Sequence, residues 1–172
     1  MTKTVNGYVC KSCGQYHEGL PLSYFTNYPA QWYDIPDDEK HARCVLGEEQ
    51  CIIDETLFFM RGNVEIPIVE SDDVFAWTVW VALSKELFAR ASDLWDDPRR
   101  KNEPPYACRV ANSLPCYPDT FDLKGVLRTR GVGLRPSIEL EDADHALVIE
   151  QRRGMTKERV QEIAEALLHS SA

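Results

Sequence analysis

The N-terminal region contains two cysteines at the spacing of a metal knuckle. Cys10 and Cys13 are separated by two residues, and a glycine follows the second cysteine. Two thiolates at this spacing can bind one tetrahedral zinc ion, while the glycine permits a tight turn. A complete structural site needs two further ligands, and the sequence offers His17, Cys44 and Cys51. The alternative is that Cys10 and Cys13 are two thiols beside a turn that bind nothing.

A redox use of the same cysteine pair has less support. A thioredoxin-like motif lies between a strand and a long helix, whereas Gly19 and Pro21 follow this pair and do not continue a helix. Residues 1–12 lack the basic start and apolar run of a secretory signal, and the longest apolar stretch, residues 74–83, is too short to span a membrane. We therefore expect a cytoplasmic protein without a membrane span.

His145 is the second candidate for chemistry, because Asp144 and Glu150 lie close to it in the sequence. If residues 144–150 form a strand, His145 faces away from both carboxylates. We therefore interpret His145 as a structural residue that is hydrogen-bonded to a loop. The enzyme alternative is a metal-assisted hydrolase in which His17 and His145 act with nearby carboxylates. The common motifs of hydrolases and nucleotide-binding enzymes are absent from the sequence, so we predict a non-catalytic protein.

The chain is acidic, with 28 Asp and Glu against 19 Lys and Arg and a net charge of −9. Nucleic-acid binding requires a surplus of basic residues, so we expect no nucleic-acid partner. Acidic residues are concentrated between residues 34 and 55, which favours a basic protein as partner, although charge runs are often only solvated loops. An immunity or antitoxin-type role is one concrete form of this function. The residues predicted to bind the partner are Asp34, Asp37, Asp38 and Glu39.

The elements that position these residues are predicted to form an α+β fold. A length of 172 residues predicts a single domain spanning residues 1–172. We expect a central sheet, antiparallel or mixed, covered by two main amphipathic helices. Residues 1–33, rich in cysteine and aromatic residues, are expected to form a small zinc-knuckle-like element packed against this α+β body.

The middle of the chain has the pattern of a β-meander. Residues 57–60 and 64–69 are predicted to be two strands joined by a hairpin turn at residues 61–63. Pro67 lacks an amide donor, so the second strand is expected at a sheet edge. Residues 77–83 are apolar on both faces, which predicts a central strand.

Two segments have the capping residues and apolar spacing of helices. Ser84 is a predicted N-cap for a helix that ends before the polar loop at residues 96–103. Thr156 is a predicted N-cap for the last helix, whose apolar residues recur at helical spacing up to Leu168.

The order of motifs resembles a bacterial family known as domain of unknown function 2199. The matching segments include Cys10-Lys11-Ser12-Cys13-Gly14, His17-Glu18-Gly19-Leu20-Pro21, Phe58-Phe59-Met60-Arg61-Gly62, Trp80-Val81-Ala82-Leu83-Ser84 and Leu114-Pro115-Cys116-Tyr117-Pro118. The resemblance implies a cytosolic bacterial protein and supplies no activity. It also supports Cys51 over Cys44, because the family tends to carry a cysteine before an Ile-Asp pair. The predicted zinc ligands are therefore Cys10, Cys13, His17 and Cys51.

Overall fold

A mixed sheet of eight strands organises the protein, and five of its strands close into a barrel. The computed structural model describes residues 4–5 and 7–170. The strands in chain order are β1 (Thr4–Val5), β2 (Tyr8–Val9), β3 (Tyr16–His17), β4 (Leu20–Pro21), β5 (Ser23–Phe25), β6 (Cys44–Leu46), β7 (Gln50–Ile53), β8 (Leu57–Pro67), β9 (Val74–Leu83), β10 (Tyr106–Val110), β11 (Lys124–Arg128) and β12 (Ser137–Leu140). The helices are α1 (Lys40–Arg43), α2 (Lys85–Asp93), α3 (Ala146–Arg153) and α4 (Lys157–Leu168).

The barrel consists of β8, β9, β10, β11 and β12, and it closes where β12 returns to β8. The longest pairing is antiparallel and joins β8 to β9 from Phe58 opposite Leu83 to Pro67 opposite Val74. The closing pairing is parallel, between Ser137 and Asn63. β5 extends the sheet beyond β9, while β7 and β6 extend it beyond β8. The predicted α+β class with a mixed sheet is therefore confirmed.

The turn predicted at residues 61–63 is wrong, because β8 runs through these residues without interruption. Gly62 lies within β8 at a point of close approach to β12. A Cβ atom at Gly62 would lie 2.5 Å from Cδ1 of Ile138 on β12. Since real side chains do not approach so closely, the glycine allows β12 to pack against β8 at the seam of the barrel.

The edge position predicted for Pro67 is also wrong. β8 has β9 on one side and β7 and β12 on the other. Pro67 is the last residue of β8, so its missing amide interrupts no ladder within the strand. β9 is a central strand as predicted, with β5, β8 and β10 as neighbours.

The predicted helices α2 and α4 begin at the expected caps. The Ser84 hydroxyl accepts a hydrogen bond from the Leu87 amide, and the Thr156 hydroxyl accepts one from the Arg159 amide. No helix in the described part of the chain has the length and apolar character needed to cross a membrane.

Residues 146–150 lie in the helix α3 and not in a strand, and His145 is the N-cap of this helix. Leu147 and Val148 are adjacent in sequence and both fully buried. A strand with one buried face cannot bury two successive side chains, whereas adjacent residues on a helix can share a buried face.

Within residues 7–170, the buried side chains form two hydrophobic clusters. The larger one unites residues of the barrel strands, such as Val64 and Leu127, with Leu147 of α3 and Ile163 of α4. The smaller cluster consists of Ile35, Cys51, Ile53, Phe59, Trp80 and Ala111.

Candidate metal centre

A short hairpin carries the two cysteines of the knuckle. β2 and β3 pair antiparallel, and the turn between them is fixed by two backbone hydrogen bonds: the Cys10 amide donates to the Gln15 carbonyl, and the Gly14 amide to the Cys10 carbonyl. Gly14 has a φ of 73°, in the region that favours glycine. The turn brings the sulfurs of Cys10 and Cys13 together, as the spacing predicts.

A third residue that could hold a metal ion follows the last turn of α4. Nε2 of His169 lies 3.2 Å from Sγ of Cys10. The ligand atoms of Cys10, Cys13 and His169 all lie within 4.8 Å of one another. The helix is also joined to the hairpin directly, because Nε2 of Gln161 donates a hydrogen bond of 3.1 Å to the Val9 carbonyl. The chain therefore brings its N-terminal hairpin and its last helix to one cluster.

His17 lies beside this cluster, although its ring nitrogens are not among the ligand atoms that all lie within 4.8 Å of one another. Its Nε2 lies 3.6 Å from Sγ of Cys13, and its ring packs against Tyr8 with 5.2 Å between the ring centroids. Zinc bonds of about 2.3 Å to sulfur and about 2.0 Å to nitrogen, at tetrahedral angles, place neighbouring sulfur and nitrogen ligands about 3.5 Å apart. The two sulfur–nitrogen distances, 3.2 and 3.6 Å, fit this spacing.

Cys10 has the electrostatic surroundings of a metal-binding thiolate. Its side chain is almost completely buried. Burial acts to raise the pKa of the Cys10 thiol, but hydrogen bonds from the Cys13 amide, the His169 ring and the Ser12 amide outweigh that effect and lower the pKa to about 6. Because zinc binds the thiolate form, these surroundings prepare Cys10 for a metal.

Cys51, the predicted fourth ligand, does not lie in this cluster. It is on β7 opposite Phe59 of β8, and it is fully buried in the smaller hydrophobic cluster with Ile53 and Trp80. Strand alternation points Cys51 and Ile53 to the same buried face. Burial raises the pKa of the Cys51 thiol to about 12, with a smaller contribution from Cys44, so the protonated form predominates at neutral pH. In the described chain, His169 and not Cys51 accompanies Cys10 and Cys13.

His145 makes structural contacts at the start of α3. Its Nδ1 accepts a hydrogen bond from the Leu147 amide, and its Nε2 lies 3.0 Å from the carbonyl oxygen of Asp119. Glu150, the nearby carboxylate, accepts hydrogen bonds from the Tyr117 hydroxyl and from Nε of Arg159. The residues that contact His145 therefore differ from those that contact His17, and these contacts do not join the two histidines in one site.

The four acidic residues predicted to bind a partner are all exposed. Two of them have nearby counter-charges, because Asp37 pairs with Lys40 at 2.5 Å and Glu39 pairs with Arg43 at 2.6 Å. Hydrogen bonding to Lys40 lowers the pKa of Asp37. The acidic surface that these residues form is therefore partly neutralised within the protein itself.

Residues 9–155 match the family described as "Uncharacterized protein conserved in bacteria (DUF2199)". The chain belongs to this family. The DUF2199 match includes Cys10, Cys13 and His17 but ends before α4, so His169 lies outside it. No curated protein and no solved structure matches the chain.

Proposed function

We propose that this DUF2199 protein is a non-catalytic zinc protein whose ion is held by Cys10, Cys13, His17 and His169. The observation that carries the proposal is the cluster of Cys10, Cys13 and His169, whose ligand atoms lie within 4.8 Å of one another. His17, with Nε2 3.6 Å from Sγ of Cys13, is the nearest candidate for the fourth position. Two thiolates and two imidazoles complete a tetrahedral zinc shell and leave no position for water or substrate. The donor set therefore favours a structural role for the ion.

The surrounding elements explain why such an ion is useful to the fold. β1, β2, β3 and β4 contain only two residues each. Such short strands have little stability of their own, since even a complete isolated hairpin is marginally stable in water. A metal bound by the hairpin and by α4 adds its binding free energy to folding and fixes the first elements against the last helix.

The zinc shell can be tested on protein purified without added metal or a nickel column. Mass spectrometry is expected to find about one zinc per chain, and X-ray absorption at the zinc edge about two sulfur and two nitrogen ligands. A shell of three or four sulfurs would contradict the proposed set and point to another cysteine. An oxygen ligand would instead favour an open site and a catalytic role.

For the cellular role, we propose that the protein binds a basic protein through Asp34, Asp37, Asp38 and Glu39, and that an immunity or antitoxin-type function is one form of this role. The exposure of all four residues and the net charge of −9 support the proposal. Attraction between opposite charges increases the association rate and weakens as salt screens it.

The partner proposal can be tested with two variants, each of which neutralises four acidic residues. Immobilised wild-type protein is exposed to lysate of the bacterial host, and retained proteins are identified by mass spectrometry. The test variant carries D34N, D37N, D38N and E39Q. The control neutralises four other exposed acids: Asp72, Asp93, Asp142 and Glu158.

We expect a basic protein that the wild type and the control retain and the test variant loses. Equal retention by both variants would contradict the proposed surface.

A further inference from the structure

We propose that Cys10 and Cys13 form a redox modification site, at which a hydroperoxide converts the two zinc ligands into a disulfide and releases the ion. This inference rests on the proposed zinc site and assigns it a mode of regulation. It differs from thioredoxin-like catalysis, because the reaction changes the metal content of the protein and needs no protein substrate.

The geometry allows the two sulfurs to bond to each other. Sγ of Cys10 and Sγ of Cys13 lie within 4.8 Å of one another, and only two residues separate them. A disulfide requires an S–S distance of about 2.0 Å, so the turn has to bring the two sulfurs closer together. The turn has room to do so, because residues 11–16 are exposed and a Cβ atom built on Gly14 would meet no atom within 4 Å.

The two sulfurs also differ in their exposure to solvent. Cys13 is exposed on the turn, whereas Cys10 is buried against His169. An oxidant can therefore reach Cys13 first, and Cys10 is in position to react with the oxidised sulfur. This division resembles the pairing of an accessible cysteine with a resolving cysteine in redox sensors.

The other cysteines are poorly placed to compete. Cys51 and Cys108 are buried, and burial raises the pKa of each thiol to about 12. Cys44 and Cys116 are half-buried, and burial again raises the pKa of both thiols. Because the thiolate is the form that reacts with peroxide, oxidation is directed to the knuckle.

The reaction proceeds in two balanced steps. The Cys13 sulfur attacks one oxygen of the hydroperoxide, the O–O bond breaks, and the departing oxygen takes a proton to give water or an alcohol. The Cys10 sulfur then attacks the resulting sulfenic acid, the S–S bond forms, the S–O bond breaks, and the departing hydroxide takes a proton to give water. Two electrons pass from the sulfurs to the peroxide. The disulfide sulfurs are no longer anionic ligands, so zinc loses half of its shell and leaves.

Loss of the ion also removes the contact between the hairpin and the end of α4. With zinc absent and Cys10 oxidised, His169 no longer has a thiolate to contact. The first half of α4 remains joined to the hairpin through the hydrogen bond between Gln161 and Val9. Peroxide is therefore expected to loosen the last turn of α4, while the apolar residues Val160 and Ile163 keep the rest of the helix in the core.

The test begins with zinc-loaded wild-type protein whose metal content has been measured. Hydrogen peroxide is added in modest molar excess, released zinc is followed with a coloured chelator, and the disulfides are mapped by digestion and mass spectrometry. We expect zinc release to match formation of a Cys10–Cys13 disulfide in amount and rate. A thiol reductant followed by added zinc is expected to restore the starting metal content.

Two variants serve as controls. C116S removes a half-buried thiol outside the cluster and is expected to respond like the wild type. C13S removes one partner and is expected to form no disulfide at Cys10 under the same treatment.

The outcomes separate this inference from the zinc proposal. Zinc that stays bound during peroxide treatment would overturn the redox site and leave the zinc site intact. Release without a Cys10–Cys13 disulfide would also overturn it. Purified protein that contains no zinc before peroxide is added would overturn the proposed function itself.

Discussion

Cys13 and Cys51 differ in the properties that decide whether a thiol reacts or binds a metal. Cys13 lies exposed in a turn, whereas Cys51 is fully buried on β7. Burial raises the pKa of Cys51 to about 12, and burial likewise raises the pKa of Cys108 to about 12. At neutral pH, such buried thiols are therefore almost entirely protonated.

This difference predicts the order of alkylation. In chelator-treated native protein at neutral pH, iodoacetamide is expected to modify Cys13 well before Cys51 or Cys108. Because the folded pKa values are high, labelling of the buried pair is expected to increase about tenfold per pH unit while the fold persists. Mass spectrometry of digested protein measures both effects. Rapid labelling of Cys51 in native protein at neutral pH would contradict its placement in the core.

Local sequence spacing predicts three of the four proposed ligands. Cys10, Cys13 and His17 lie within one hairpin, so their spacing predicts that their side chains meet. His169 is 159 residues from Cys10, and only the packing of α4 against the hairpin brings the two together. A histidine after the last turn of a helix has no distinguishing motif, so the sequence offered no signal for it.

At the scale of elements, the seam between β8 and β12 depends on Gly62. A Cβ atom at this position would meet the Ile138 side chain at 2.5 Å, so G62A requires Ile138 to move. We expect G62A to lower the free energy of unfolding by about 1 to 3 kcal/mol, the usual cost of overpacking. Urea unfolding measures this change.

Two further variants test whether the contact with Ile138 is the reason that G62A loses stability. G47A is the matched control, because a Cβ atom at Gly47 would lie 3.6 Å from its nearest neighbour, the Gln50 carbonyl. Combining G62A with I138A is expected to cost less than the sum of the two single changes, because the truncation removes both Cδ1 and Cγ1 of Ile138, the two atoms nearest to the added Cβ. If G62A were as stable as G47A, the close approach at the seam would be contradicted.

A second element contact joins α2 to β10 through Glu103. Its carboxylate accepts hydrogen bonds from Nε and Nη2 of Arg90 and from the Tyr106 hydroxyl. The hydrogen bonds from Arg90 and Tyr106 lower the pKa of Glu103 to about 2, from an ordinary value of 4.5. A carboxylate with a lowered folded pKa contributes stability above its unfolded pKa and loses it as pH falls through the folded pKa.

The contact therefore predicts a pH dependence of stability. Between pH 5 and pH 2, the free energy of unfolding of E103Q is expected to fall less steeply than that of the wild type. Denaturant titrations across this range measure the two slopes. E141Q, which removes an exposed carboxylate, is the control and is expected to keep the wild-type slope. Identical slopes for E103Q and the wild type would contradict the contribution of Glu103.

At the scale of the whole molecule, local sequence patterns predicted several helices and strands. They did not predict that five strands close into a barrel. The caps of α2 and α4 and the apolar faces of β9 are properties of short segments, and each prediction was correct. Barrel closure depends on a parallel contact between Asn63 and Ser137. Strand pairing between distant segments has no local sequence signature, so the same residues 61–63 gave a false prediction of a turn.

Zinc removal is expected to lower the stability of the whole fold. An ion that binds only the folded state at a hundred times its dissociation constant stabilises that state by about 2.7 kcal/mol. For a domain of this size, that change corresponds to a decrease in Tm of about 5 to 10 °C. Calorimetry before and after treatment with a strong chelator measures the difference, and added zinc is expected to reverse it. An unchanged Tm in protein shown to lose zinc would contradict a structural role for the ion.

The most direct test of the account is the zinc content of the wild type and three variants, C10S, H169A and C51A, each purified without added metal and checked for folding by circular dichroism. We predict about one zinc per chain in the wild type and in C51A, and a large loss in C10S and H169A. The account would be contradicted by a wild type without zinc, or by loss of zinc in folded C51A together with its retention in H169A.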